Sequence, residues 1–197
     1  MATKRLERDT RTELLRTAER IFAHKGYAAV GINEVLSSAG VPKGSFYHYF
    51  TSKDAFGEAV IARYFERYLA EMDQILNAAD QDWATRIRAY FASWRESQSF
   101  GDCEGKCLAV KLGAEVADLS EPMRLALRTG TTAIIDRLER VIIGAGNDGS
   151  ASFEGDPRMT ADALYQLWLG ASVMAKINRT LAPLDAASAA TDRLLGI

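Results

Sequence analysis

Residues 40–53 read Gly-Val-Pro-Lys-Gly-Ser-Phe-Tyr-His-Tyr-Phe-Thr-Ser-Lys, and no other stretch constrains the fold of this chain as much. Gly40 suits the left-handed conformation that ends a helix, and Pro42 restarts the chain with φ already set. The next segment, Lys43 to about Phe50, is a helix too short to be stable alone in water. Neighbours must hold it. Its aromatic, histidine and lysine tips are of the kind that grip phosphates and read base edges.

The preceding residues supply those neighbours. Thr10 to Glu13 fits a capping box, with Thr10 as N-cap, and Leu14, Ala18, Ile21 and Phe22 recur at helical spacing. This predicts a first helix from about Arg11 to Lys25, stopped by Gly26, with Tyr27 packed in the corner. A second helix, Ile32 to Ala39, turns Ile32, Val35, Leu36 and Ala39 inward. Three short helices, the last two joined by Gly40-Val41-Pro42, make a helix-turn-helix of the DNA-binding kind. In that arrangement Lys43, Gly44 and Ser45 enter the major groove of double-stranded DNA. Tyr47, Tyr49 and Lys53 hold phosphates, and His48 faces the duplex with them. Gly31 and Asn33, at the start of the second helix, complete the DNA-binding set, while Phe46 and Phe50 point to the core.

Fixed offsets across this region carry a family resemblance: Phe22, Gly26-Tyr27, Glu34-Val35, Ala39-Gly40-Val41, Lys43-Gly44, Phe46-Tyr47, Tyr49-Phe50 and Ser52-Lys53. Residues 11–56 resemble, without a gap, the N-terminal domain of TetR-family transcriptional repressors. The resemblance implies a DNA-binding domain over residues 1–52 and a helical sensing and dimerisation domain over residues 53–197. One departure stands out. The family usually enters the second helix with Thr or Ser, whereas this chain has Val30 and Gly31, so the capping role falls to Gly31 and its exposed backbone N–H groups.

Charge is distributed in keeping with this. The net charge is only −2, but residues 1–53 hold nine Lys/Arg against five Asp/Glu, and residues 54–197 hold fifteen against twenty-one. A basic head on an acidic body suits a DNA-binding domain attached to something else. With 48% hydrophobic residues the chain can bury a real core. No window reaches the roughly 18 apolar residues of a membrane span, and the basic N-terminus lacks the apolar stretch of an export signal. A cytoplasmic protein is expected, with no membrane partner and no cofactor.

The body reads as entirely helical, which makes the fold class all-α. A fourth helix is predicted from near Ser52 toward Asn77, with Phe56, Ala59, Val60, Tyr64, Met72 and Ile75 inward. Others cover about Trp83–Ser97, Lys106–Ala117, Glu121–Ile143, Thr160–Thr180 and Ala186–Leu195, with a flexible connection from Gly144 to Pro157. Two helices look too apolar for one neighbour: Ala133, Ile134, Leu138, Val141 and Ile142 on one, Leu164, Leu167, Trp168, Ala171, Val173 and Ala175 on the other. They form either ordinary core or a four-helix interface between two copies, where Gly170, Ala171 and Ser172 would allow close approach. The family resemblance implies the homodimer, whose two heads read a palindromic operator.

Cys103 and Cys107 raise the question of an effector. A structural disulfide is not expected in the cytoplasm, and His24 and His48 both sit in the head, so no four-ligand metal cluster forms. Cys107, opening an apolar helix with Leu108, Val110 and Leu112, reads as a small buried hydrophobe. Alternatively, the helix N-terminus with Lys106 and Lys111 lowers its thiol pKa and makes a reactive thiolate. The residues from Cys107 through Met123-Arg124, and from Leu164-Tyr165 through Pro183-Leu184, resemble one branch of the family: repressors of an N-ethylmaleimide reductase that respond to electrophiles and oxidants. That resemblance implies Cys107 as the sensor and Lys176 as its covalent partner. Lys176 either snorkels to water or, partly buried, offers a neutral amine to an oxidised Cys107. Cys103 is a bystander or a resolving thiol. A rival within the same function is a small aromatic or apolar effector held reversibly by Tyr90, Phe91, Trp94, Cys103 and Trp168, with Cys107 merely packing.

An enzyme is disfavoured. The chain has no P-loop, no Gly-x-Gly-x-x-Gly after a strand, no Glu-x-x-His pair and no nucleophile elbow. Lys43-Gly44-Ser45 looks like a phosphate loop fragment but lacks the upstream glycine and strand. Carboxylates such as Glu66, Glu71 and Asp73 read as solvated helix faces.

Overall fold

Gly40 takes φ 65°, ψ 27° and Pro42 takes φ −61°, so the break between the second and third helices forms as the glycine and proline dictate. The computed structural model of the chain describes residues 2–98 and 108–197. Among these the order is α1 (Ala2–Lys25), α2 (Ile32–Ala39), α3 (Lys43–Tyr49), α4 (Lys53–Leu76), α5 (Trp83–Ser97), α6 (Leu108–Ala117), α7 (Glu121–Asp148), α8 (Pro157–Asn178) and α9 (Ala182–Leu195). The fold is all-α. The helices form two compact units, residues 1–66 with 106–130, and residues 67–105 with 131–197. Helices α4 and α7 each give residues to both.

In the first unit, Leu14, Ala18 and Phe22 of α1 are buried with Val35 and Leu36 of α2 and Phe46 of α3. Phe56 of α4 is the centre of an aromatic cluster, its ring centroid 6.3 Å from Phe22, 5.2 Å from Phe46 and 4.7 Å from Phe50. Burying each such ring contributes about 1.5–3 kcal/mol. This cluster gives the seven-residue α3 the support it lacks on its own. Helix α6 packs on α1 in the same unit.

In the second unit, α8 and α9 pack on each other around Trp168, whose indole Nε1 donates to Thr191 Oγ1 at 3.0 Å. Trp94 of α5 donates in the same way to Ser172 Oγ at 3.0 Å. Arg179, at φ 52°, ends α8 in the left-handed region.

Four helix ends differ from the sequence reading. Thr10 does not cap α1, which runs back to Ala2, and Glu13 bonds Arg16 and Thr17. Nothing in residues 2–9 breaks a helix, so the cap signal is overridden. Helix α7 continues through Gly144 and Gly146 to Asp148 because rings lie where side chains would be. A Cβ on Gly144 would sit 2.6 Å from the Trp83 ring, and one on Gly146 would sit 3.3 Å from Phe153. Helix α8 starts at Pro157 behind Asp156, whose carboxylate accepts from Met159 N–H at 2.9 Å. Helix α9 starts at Ala182, with Pro183 in its first turn.

The expected interface residues are redistributed too. Ile134, Leu138, Val141, Ile142, Leu164, Trp168, Ala171 and Ala175 are buried within the chain and are ordinary core, as is Ser172. Val173 is exposed, and Gly170 has nothing within 4 Å of the position a Cβ would take.

Candidate nucleic-acid interface and effector region

Helix α3 turns one side inward and leaves the other free. Phe46 is fully buried, whereas Lys43, Gly44, Tyr47 and His48 are exposed, Tyr47 by 58%. Ser45 and Tyr49 are half-buried, and the rings of His48 and Tyr49 meet edge-on at 4.9 Å. Gly31 is the N-cap of α2, with φ −86° and ψ 151° and no side-chain cap. The first N–H groups of α2 are thus left without a helical acceptor. Asn33 and Lys43 line a cleft of about 400 Å³ between α2 and α3, with Ser37 and Pro42 also in its wall. The helix-turn-helix therefore brings Gly31, Asn33, Lys43, Gly44, Ser45, Tyr47, His48 and Tyr49 together within one small unit.

Lys53 is placed differently from the rest. It is half-buried, its ammonium donates to the Tyr27 carbonyl at 3.1 Å, and it lies 4.3 Å from the centre of the Tyr27 ring. Tyr27 is itself buried between helices. Its hydroxyl donates to Asp54 Oδ1 at 2.7 Å, and burial, together with that hydrogen bond, pushes the phenol pKa up. Lys53 is thus committed to the elbow after α1 as well as standing at the start of α4. Sequence reasoning had no signal for this, since the two residues meet only through the packing of α1 on α4.

Of the residues expected at an effector site, Tyr90, Phe91, Trp94 and Trp168 come together in the second unit. Phe91 stacks on Trp168 at 4.6 Å with 15° between the planes, and Trp94 lies 6.0 Å from both Tyr90 and Trp168. The Tyr90 and Tyr68 hydroxyls share a hydrogen bond of 2.8 Å. At the end of α5 the Oε1 of Gln98 is buried without a hydrogen-bond donor among the described residues. Lys176 is half-buried in the last turn of α8. Cys103 and Cys107 lie outside the described residues; Cys107 directly precedes Leu108, the first residue of α6. Among the described residues no group of His, Cys, Asp and Glu could hold a metal ion, and no helix is long and apolar enough to cross a membrane.

Residues 14–60 match the bacterial regulatory proteins of the tetR family, and residues 84–191 match the tetracyclin repressor-like C-terminal domain. The chain belongs to the TetR family. As a TetR-family member it is a DNA-binding transcriptional repressor and not an enzyme. It is 41% identical over 187 residues to the HTH-type transcriptional repressor NemR of Escherichia coli (strain K12), covering 94% of each chain. The crystal structure of E. coli NemR in its reduced form superposes with a TM-score of 0.90 at 40% identity, covering 95% of this chain and 97% of that one. The HTH-type transcriptional repressor DhaR of Mycobacterium sp. (strain GP1) is 31% identical over 175 residues, 89% of this chain and 86% of DhaR. These TetR-family relatives span both units.

Proposed function

We propose that this repressor is a cytoplasmic homodimer that holds a palindromic operator and releases it when electrophiles or oxidants modify Cys107. The observation that carries the reading is likeness over 94% of the chain to NemR, a repressor crystallised in a reduced form. In sequence Cys107 directly precedes Leu108, the first residue of α6, and a helix N-terminus favours a thiolate. A thiolate meeting hypochlorous acid gives a sulfenic acid and chloride. Attack by the Lys176 amine would then form a sulfur–nitrogen bond and release water.

At the other end, Lys43, Ser45, Tyr47, His48 and Tyr49 reach DNA, with Lys43, Gly44 and Ser45 in the major groove. Gly31, Asn33 and Lys53 face phosphates. Two heads are needed, since half-sites one turn apart lie about 34 Å from each other and a small misalignment undocks one of them. The exposed apolar residues Ile143, Met159, Val173, Met174 and Ile177 of α7 and α8 support pairing of two copies through these helices.

A second reading keeps the repressor and replaces the trigger: a small aromatic or apolar ligand binds reversibly beside Tyr90, Phe91, Trp94, Cys103 and Trp168. The buried Gln98 acceptor, one turn beyond Trp94 and without a donor among the described residues, favours a ligand carrying a hydrogen-bond donor. Operator binding under hypochlorite or a quinone separates the two readings. Cys107→Ser is expected to bind DNA but not let go, Cys103→Ser to keep most of the response, and Lys176→Met to respond less to oxidant. Release of Cys107→Ser as readily as wild type would leave the reversible ligand standing.

A further inference from the structure

Glu115 lies in the last turn of α6, where the helix's own carbonyl ends disfavour a carboxylate. Its two oxygens nevertheless have defined partners. Oε2 accepts from the Tyr27 N–H at 3.1 Å and Oε1 from the Ala28 N–H at 2.7 Å. These are adjacent amides in the elbow between α1 and α2, directly after Gly26, whose φ of 84° turns the chain out of α1. A Cβ at Gly26 would lie 2.7 Å from Glu115 Oε2, so the carboxylate fits there because residue 26 has no side chain. The rest of Tyr27 is tied to α4, by its hydroxyl to Asp54 and by its carbonyl to Lys53. A salt bridge of 2.5 Å from Lys25 to Glu34 spans the same elbow from the exposed side. The carboxylate closes a ring of contacts through the end of α1, the start of α4 and the end of α6.

We propose that Glu115 is a positioning residue for DNA recognition: its clasp on the Tyr27 and Ala28 amides sets how α2 and α3 leave α1, and couples the position of α6 to operator affinity. The coupling rests on the reading that Cys107 is the sensor. Leu108, the residue after Cys107, is seven residues from Glu115, about 10 Å along one helix. A displacement at the start of α6 carries the carboxylate with it, and a shift of about 1 Å takes both hydrogen bonds beyond bonding distance. A carboxylate serves this role better than an amide because both of its oxygens accept, matching two N–H groups that point the same way.

The test compares full-length wild type, Glu115→Gln and Glu115→Ala on a duplex selected by the wild-type protein. Three quantities are read: amide hydrogen exchange at Tyr27 and Ala28, duplex affinity, and the ratio of affinities before and after hypochlorite. For Glu115→Ala, exchange at the two amides should rise by about tenfold or more, affinity should fall by about 10- to 100-fold, and the hypochlorite ratio should shrink toward one. Glu115→Gln, which keeps one acceptor, should fall in between, and it carries the test if the alanine variant does not fold. A role limited to stability would lower the melting temperature and leave the ratio at its wild-type value, and that result overturns the proposal. If wild type itself does not release on hypochlorite, the cysteine reading fails by itself. The clasp is then judged on the other two quantities, and unchanged exchange and affinity would overturn it.

Discussion

The ring of Phe65 on α4 occupies the space that a side chain on Gly130 of α7 would need: a Cβ there would lie 2.1 Å from the ring's Cγ and Cδ2. Aromatic ring and bare backbone thus meet directly within the first unit. Gly130→Ala is expected to cost about 1–3 kcal/mol, because a buried ring must leave its rotamer to admit the methyl group. Gly113→Ala on α6, with nothing within 4 Å of the new atom, should instead gain up to about 1 kcal/mol of helix propensity. Thermal unfolding followed by circular dichroism separates the two, and equal melting temperatures would refute the packing argument.

Adjacent aromatic residues of α3 should behave as opposites. Phe46→Ala removes a fully buried ring from the cluster around Phe56 and should destabilise the chain by about 3–5 kcal/mol. Tyr47→Phe removes only an exposed hydroxyl, so stability should stay within about 0.5 kcal/mol while affinity for DNA falls. Chemical denaturation paired with DNA titration reads both effects. A Tyr47→Phe protein that binds as tightly as wild type would remove this hydroxyl from the phosphate contacts.

Asp73 ties α4 to α7 in the second unit. Arg137 donates from Nε and Nη2 to its two oxygens, both at 2.8 Å, and Arg140 lies 3.6 Å away. The Arg137 hydrogen bond holds the Asp73 carboxyl below the ordinary carboxylate range. A carboxyl lowered in the folded state adds stability above its unfolded value, near pH 4, and that stability is lost as pH falls through the lower folded value. Asp73→Asn should therefore be about 1 kcal/mol less stable than wild type at pH 7, with the gap closing in acid. Urea unfolding at pH 7 and again near pH 3 gives the comparison; a gap that persists unchanged in acid contradicts the linkage.

The proposed pairing of two copies makes a separate demand. Ile177 is 68% exposed and Val173 43% exposed in the single chain, so a charge at either site should leave the fold intact. Val173→Glu and Ile177→Glu are expected to convert a dimer into a folded monomer and to weaken operator binding by at least about 100-fold, because a two-headed reader becomes single-headed. Light scattering at matched concentration measures the mass. Dimers persisting in the double variant would place the interface elsewhere.

Local signals proved readable where the physics is local. The bounds of α2 follow from Gly31, Gly40 and Pro42, those of α5 from periodic apolar residues behind the Asp82 cap, and the corner position of Tyr27 follows from the Gly26 stop. Asp156 before Pro157 was a readable start for α8 that the surrounding glycines obscured. What could not be read is contact across the chain. No periodicity shows that Trp83 would cover Gly144, that Lys53 would reach the Tyr27 carbonyl, or that Glu115 would find amides 87 and 88 residues away. The outward set of α3 could be named from spacing once Phe46 was assigned inward. The shared partner of Lys53 and Glu115, Tyr27, is set by tertiary packing alone.

The seven residues of α3 are held in place chiefly by what Phe46 and its aromatic neighbours do on the inside. Its outward positions at Lys43, Gly44, Tyr47 and His48 contribute little to that anchorage. Change on the outer face is therefore cheap for the fold, and a lineage carrying this head can drift from one target sequence to another without passing through unfolded intermediates. The same separation lets an engineer randomise those four positions and select new binding sites while the inner cluster stays untouched.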